Sequence, residues 1–171
     1  MAKLRVGKGT DPDTALGPLV NAATRDKVVR LVADARDRGA KVLTGGKTID
    51  RPGYFYEATV LTNIAPGSKL LKEEIFGPVA PIVTFDSEDE AIQLANDTEY
   101  GLVAYVYTRD LARGLRVSER LESGMVGLNR GLVSDPAAPF GGVKQSGLGR
   151  EGSHHGLAEF LETKYIATSW D

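Results

Sequence analysis

The chain has 171 residues, no cysteine and a formal net charge of −2. That length suffices for one domain with a real core and an appended arm. The missing thiols exclude disulfides, thiolate zinc sites and thiol catalysis from this chain, and its scattered basic residues form no patch for a nucleic acid or an anionic membrane.

Met1–Gly7 has no apolar h-region and does not read as a signal peptide. No apolar run reaches the roughly 18 residues of a membrane span. The expected location is cytoplasmic. Residues 7–20 are rich in Gly, Pro, Asp and Thr and read as an extended loop. A helix is expected over about 22–38, where Val28, Leu31, Val32 and Ala35 recur at helical spacing and Gly39 sits where a left-handed C-cap is wanted. Lys41–Thr44 and Ala58–Leu61 read as strands, and Ser68–Glu74 as a short helix.

Val79–Phe85 is nearly continuous in apolar residues, the pattern of a strand buried on both faces. Ser87 and Glu90 form a capping box for a helix running to about Asn96. Leu102–Tyr107 reads as another buried strand. Asp110 can cap a helix to about Glu122, with Leu111, Leu115 and Leu121 inward and Gly124 ending it. Met125–Asn129 is a further strand, Gly152–Glu162 a helix and Lys164–Ser169 an exposed terminal strand. Strands alternate here with helices of about ten residues, which predicts right-handed crossovers. The expected fold class is α/β, three-layered, with a largely parallel sheet and helices on both faces. An exposed edge strand tends to be paired or covered, so the terminal strand is a candidate for oligomerisation.

Three places could carry chemistry. A carboxylate at Glu74 can accept from both hydroxyls of a ribose, and an aromatic at Phe76 can lie against a flat heteroaromatic ring. On spacing alone the same residues read as a solvated glutamate and a core phenylalanine ahead of a Gly-Pro turn. The glycine-dense stretch around Phe140 invites comparison with a phosphate cradle. It matches no dinucleotide or Walker pattern, and reads better as a loop whose glycines allow close backbone packing. Ser134 follows the strand Met125–Asn129, where loops in α/β sheets face ligands; alone it reads as a turn serine before Asp-Pro. His154 and His155 are adjacent, diverge on a helix and cannot share one metal. Lys27 reads as a surface lysine.

Two segments go further: Lys72-Glu73-Glu74-Ile75-Phe76-Gly77-Pro78 and Pro139-Phe140-Gly141-Gly142-Val143-Lys144-Gln145-Ser146-Gly147-Leu148-Gly149-Arg150. With Leu16-Gly17-Pro18-Leu19 and Gly124-Met125-Val126-Gly127-Leu128-Asn129, they resemble the C-terminal part of the NAD(P)-dependent aldehyde dehydrogenases. The resemblance is closest to the succinate-semialdehyde dehydrogenases and runs from Arg5-Val6-Gly7 to Lys164-Tyr165. It implies that Glu74 binds the nicotinamide ribose and Phe76 contacts the nicotinamide of NAD or NADP. It makes Phe140 an aromatic wall of the substrate tunnel. It gives Ser134 a hydrogen bond to the far carboxylate of the substrate. Arg150 and Glu162 take structural ion-pair roles near a subunit interface. Residues 1–150 then correspond to part of the catalytic domain, and 151–171 to a helix and an oligomerisation strand.

The resemblance also names what this chain lacks: the cofactor domain, the thiolate, the glutamate base and the asparagine of the oxyanion hole. The expectation is a fragment of an oxidoreductase that oxidises an ω-carboxylated aldehyde, succinate semialdehyde, to the acid. Its expected partners are a small aldehyde and further copies of the chain in a homo-oligomer, with no nucleic acid, membrane or metal. No residue of the chain itself is assigned a catalytic role, and the isolated polypeptide is expected to be inactive. Two alternatives stand beside this: a non-catalytic dimerisation module derived from such an enzyme, and an aldehyde dehydrogenase of other specificity.

Overall fold

The computed structural model describes residues 1–170, which fall into two compact units, Met1–Thr84 and a second that begins at Phe85. In the first unit the helix α1, Ala22–Asp37, begins where the Asn21 side chain accepts the Thr24 amide at 2.8 Å. It ends in a Schellman motif. Ala40 N–H reaches Ala35 O and Gly39 N–H reaches Arg36 O, both at 2.9 Å, with Gly39 at φ +97° as that motif requires. The expected stripe of Val28, Leu31, Val32 and Ala35 is buried and packs with Tyr56, Leu61, Ile64 and Leu70.

Under it lies a three-stranded sheet of β1 (Lys41–Thr44), β2 (Thr59–Thr62) and β3 (Val79–Pro81), in that order. Strands β2 and β3 run parallel, as expected, but β1 and β2 run antiparallel, with Lys41 opposite Thr62. Alternation of strands and helices is what implied a parallel pair, yet residues 45–58 contain no helix, so the chain simply returns. The short helix at 68–74 is a 3-10 helix of Lys69–Leu71. The run expected to be buried as far as Phe85 leaves the sheet after Pro81, and Ile82, Val83 and Phe85 are exposed. A continuous apolar run is buried on both faces only where something covers both faces.

The second unit contains α2 (Glu88–Asn96), β4 (Tyr100–Gly101), β5 (Val103–Val106), α3 (Leu111–Arg120), β6 (Met125–Leu128), β7 (Val143–Lys144) and α4 (Ser153–Ala158). Helix α3 connects the parallel pair β5–β6, the crossover expected from the sequence; β4 and β7 pair antiparallel. Ser87 Oγ accepts from Glu90 N–H at 3.1 Å, while the Glu90 carboxylate reaches back to Asp86 N–H at 2.8 Å, one residue beyond the usual box. Helices α2 and α3 are joined by Glu88, which takes a fork of 2.7 and 2.8 Å from Arg116, and by Asp89 with Arg120.

Several expectations fail in this unit. The strand expected to be buried over Leu102–Tyr107 is β5 alone, with Leu102, Tyr105 and Tyr107 exposed, and the helix expected over Gly152–Glu162 stops at Ala158. Leu111 and Leu115 face outward, 68% and 56% exposed; the buried residue of α3 is Gly114, which lies against Leu128 and Thr108. Periodicity identified an apolar face of α3 but not what would cover it. The terminal strand at Lys164–Ser169 is also absent: residues 161–170 carry no regular structure. A strand exists by pairing its amides and carbonyls, and none of these residues bonds to another strand. Among the described residues no helix is long and apolar enough to cross a membrane.

Asp110 caps α3 by accepting Arg113 N–H at 3.0 Å, and this bond, with Arg113's charge, lowers its pKa. A lowered folded pKa means stabilisation that is present above the unfolded aspartate value and lost as pH falls through the folded one. Asp110→Ala should therefore lower the unfolding midpoint at neutral pH and flatten its acid dependence. Asp110→Asn should keep the midpoint, because asparagine also caps, and lose only the acid dependence. Thermal melts across the acid range read both.

Candidate functional site

In the first unit the segment after the 3-10 helix is a tight turn. Glu73 N–H donates to Lys69 O at 2.8 Å, and the Glu73 carboxylate receives a two-pronged fork from Arg30 at 3.1 and 2.7 Å. That guanidinium holds the Glu73 carboxyl below the usual carboxylate range. Glu74, its neighbour, is exposed and has no hydrogen-bond or ion-pair partner among the described residues. Ile75 turns inward and packs against the core. Phe76 turns outward again, 68% exposed.

Phe76 also sits at φ +48°, the left-handed region that an aromatic residue rarely occupies. Such strain persists only where the surroundings enforce it. Here the constraint follows from Ile75 packed on one side and Gly77-Pro78 on the other, with Pro78 O accepting Thr59 N–H at 2.8 Å. The turn thus offers a carboxylate with all its lone pairs free and an aromatic ring with an open face. Those are the groups that a ribose diol and a flat heteroaromatic ring would need.

Ser134 and Phe140 both lie in the second unit, on the connection from β6 to β7. Asn129 starts it, at φ +55°. Its backbone N–H still bonds Val106 O at 2.8 Å, and its side-chain amide pairs with both backbone groups of Thr108, at 2.9 and 2.8 Å, extending the β5–β6 ladder by one step. Ser134 is exposed, and its hydroxyl has no partner among the described residues. The Asp135 side chain then folds a turn by accepting Ala137 N–H at 2.9 Å, and Pro136 O accepts Ser153 N–H at 2.9 Å.

Phe140 is half-buried and exchanges both backbone bonds with Glu151, at 2.7 and 2.8 Å, closing the neck of the glycine loop. Inside that loop Arg150 Nη1 donates to the carbonyls of Gly142, Leu148 and Gly149 at 2.7–2.9 Å. Gly141 has no room for a side chain, because a Cβ would strike Gly149 O and the Arg150 stem. This is the packing loop that the sequence suggested rather than a phosphate cradle. Arg150 bonds to loop carbonyls, and Glu162 lies in the irregular terminal segment.

Three residues that sequence reasoning left aside shape these loops. Arg30 selects which of two adjacent glutamates is free. Asn129 sets where the Ser134 segment leaves the sheet. Lys144, at φ +55°, donates to Asn96 O and Thr98 O at 3.0 and 3.1 Å and pairs with Glu122, tying the glycine loop to the end of α2. Each acts on a backbone or side chain more than twenty residues away, so no local spacing could mark it. His154 and His155 do not diverge: their rings lie 4.0 Å apart, because Ser153 Oγ holds His155 Nδ1 at 3.1 Å. A cavity of about 530 Å³ lies between α2, β5 and α3, walled by Phe85, Ile92, Tyr105, Tyr107 and Val117; Ser134 and Phe140 are not among its walls.

The model of the aldehyde dehydrogenase family matches residues 1–166. A succinate-semialdehyde dehydrogenase of Paenarthrobacter nicotinovorans is 55% identical over 166 residues, covering 97% of this chain and 37% of that protein. A glutarate-semialdehyde dehydrogenase of Pseudomonas putida is 49% identical over 169 residues, covering 99% and 35%. Among solved structures, the succinate-semialdehyde dehydrogenase of Burkholderia pseudomallei superposes with a TM-score of 0.89 at 55% identity, over 92% of this chain and 33% of that one. The chain thus spans about a third of the length of the curated relatives it matches.

Proposed function

Since this chain belongs to the aldehyde dehydrogenase family, an oxidoreductase family that uses NAD or NADP, we propose that it is the C-terminal portion of an enzyme oxidising an ω-carboxylated aldehyde, succinate semialdehyde foremost. Residues 1–150 would complete the catalytic domain, within a three-layer, largely parallel sheet. Residues 151–171 would supply a helix and a terminal segment that becomes an oligomerisation strand only by pairing with another chain. A cytoplasmic location completes the reading.

The observation that carries the proposal is the turn at Glu73–Phe76. Glu74 has its carboxylate free beside an outward aromatic, on the segment that matches the family. Glu74 would hold the nicotinamide ribose by accepting from its two hydroxyls, and Phe76 would lie against the nicotinamide ring. The dinucleotide, when bound, supplies the hydride acceptor. Phe140 would wall the tunnel and exclude water from the reacting carbon. Ser134 would donate its hydroxyl hydrogen to the distal carboxylate of the substrate; an apolar residue there would leave that charge unpaired. The thiolate, the general base and the oxyanion donor would come from outside this cysteine-free chain.

A chimera tests this, with the chain replacing the matched portion of the Paenarthrobacter nicotinovorans relative. It should reduce NAD(P) with succinate semialdehyde. In it, Ser134→Ala should lower kcat/KM for succinate semialdehyde by about 10- to 100-fold, the worth of a hydrogen bond to a charged group, and leave an uncharged aldehyde within about twofold. Equal losses on both aldehydes would remove Ser134 from carboxylate recognition.

The terminal segment supports self-association. Phe160, Leu161, Tyr165, Ile166 and Trp170 are all exposed, Trp170 at 93%. Large apolar side chains so exposed along one segment favour a covering partner, and light scattering should show a dimer or larger species. A monodisperse monomer would contradict it.

A further inference from the structure

We propose that Arg30 is the positioning residue of the cofactor turn: by gripping Glu73 it fixes the backbone from which Glu74 and Phe76 project. This rests on the reading of those two residues as nicotinamide-riboside contacts. Nothing in the family resemblance assigns Arg30 a role.

Arg30 lies on α1 between Val28 and Leu31, both fully buried, so its backbone is anchored by the packed stripe of the first unit. Arg30, Asp34 and Arg38 follow one another at steps of four and share one face of the helix. All three are engaged. Arg38 Nε donates to both Asp34 oxygens at 3.2 Å, Asp34 Oδ2 accepts Lys69 N–H at 2.9 Å, and Arg30 forks onto Glu73. The face therefore holds the 3-10 helix at its start and the turn at its end. Glu74 is left bracketed, with a clamped residue before it and a core-packed Ile75 after it.

Geometry separates this pair from an ordinary surface ion pair. Both side chains are near half exposure, where a single contact adds little to stability. A planar fork, however, fixes distance and angle together, which an ammonium cannot. Orientation is also what binding a ribose diol through one carboxylate requires. Arg30 thus governs aim more than stability. It also keeps Glu73 from competing for the diol, since both Glu73 oxygens already accept from Arg30.

The test has two arms. In this chain, nitrogen relaxation should give order parameters near the rigid value of about 0.85 at residues 73–76, falling toward about 0.6 in Arg30→Gln while β2 stays unchanged. In the chimera, Arg30→Gln should raise KM for the dinucleotide about two- to fivefold with kcat unchanged. Arg30→Lys should recover part of that loss. Glu73→Gln should match Arg30→Gln, and the double variant should be no worse than either, because the two act as one unit. Unchanged order parameters in Arg30→Gln overturn the inference whatever the kinetics. A loosened turn with an unchanged KM also overturns it, leaving Arg30 structural only. A chimera inert with Arg30 intact removes the functional reading instead, and the relaxation arm alone then decides whether Arg30 holds the turn.

Discussion

Leu31→Ala should cost the first unit about 2–5 kcal/mol, the range for deleting a fully buried leucine whose cavity cannot collapse. Leu31 is 0% exposed and sits midway along the α1 stripe, facing Tyr56, Leu61, Ile64 and Leu70. A unit of this size is stable by only about 5–15 kcal/mol, so the substitution removes a large share of the total. Because α1 also holds Lys69 and Glu73, loosening it should free the Glu73–Phe76 turn at the same time. Leu111→Ala is the matched control. Leu111 is a leucine on a helix too, but it is 68% exposed, and its loss should stay within about 0.5 kcal/mol. Urea denaturation reads both. Similar losses for the two would mean that α1 is not the core element described.

The contrast between those leucines marks what the sequence could tell. For α1 the spacing of Val28, Leu31, Val32 and Ala35 and Gly39 at the end describe one helix and its buried face. Everything needed to cover that face lies within the next forty residues. For α3 the cap at Asp110 was equally legible, yet Leu111 and Leu115 were expected inside and lie outside. Amphipathicity states that a face is apolar; it does not state what covers it. The same gap explains Ile82, Val83 and Phe85, and the terminal segment without a strand partner. Parallel pairing was legible where a helix separates the strands, as α3 separates β5 from β6, and illegible between β1 and β2, where none does.

At the candidate turn the sequence showed two glutamates and an aromatic, and not which glutamate is free. Adjacent glutamates look alike in sequence. Which is free depends on Arg30, placed opposite them by the packing of α1 on the 3-10 helix. The left-handed backbone at Phe76 had no signal either: the Gly-Pro that follows marks a turn without naming the residue that bears the strain. Asn129 and Lys144 were equally hidden. Their side chains satisfy backbone groups of other elements, and only tertiary structure brings donor and acceptor together.

The largest effect expected of this polypeptide is a null one. Supplied with succinate semialdehyde and NAD or NADP, the 171-residue chain should form reduced nicotinamide no faster than buffer. In the proposed reading its glutamate and aromatics would orient and enclose, while oxidation of the aldehyde would begin with attack by a thiolate, and the chain has no cysteine. Ser153 Oγ lies 3.1 Å from His155 Nδ1 but also accepts His155 N–H at 3.2 Å, a contact within the first turn of α4. Nucleophile, base and oxyanion donor each contribute orders of magnitude, so their joint absence leaves no partial activity to detect. Adding the thiolate-bearing portion in the chimera should restore turnover, and Cys→Ala there should abolish it again. Turnover by the chain alone at about 1 s⁻¹ or faster, the ordinary enzymatic range, would mean that hydride leaves from a species formed without sulfur. The assignment of the chain as a contact-bearing portion would then fail at its first step.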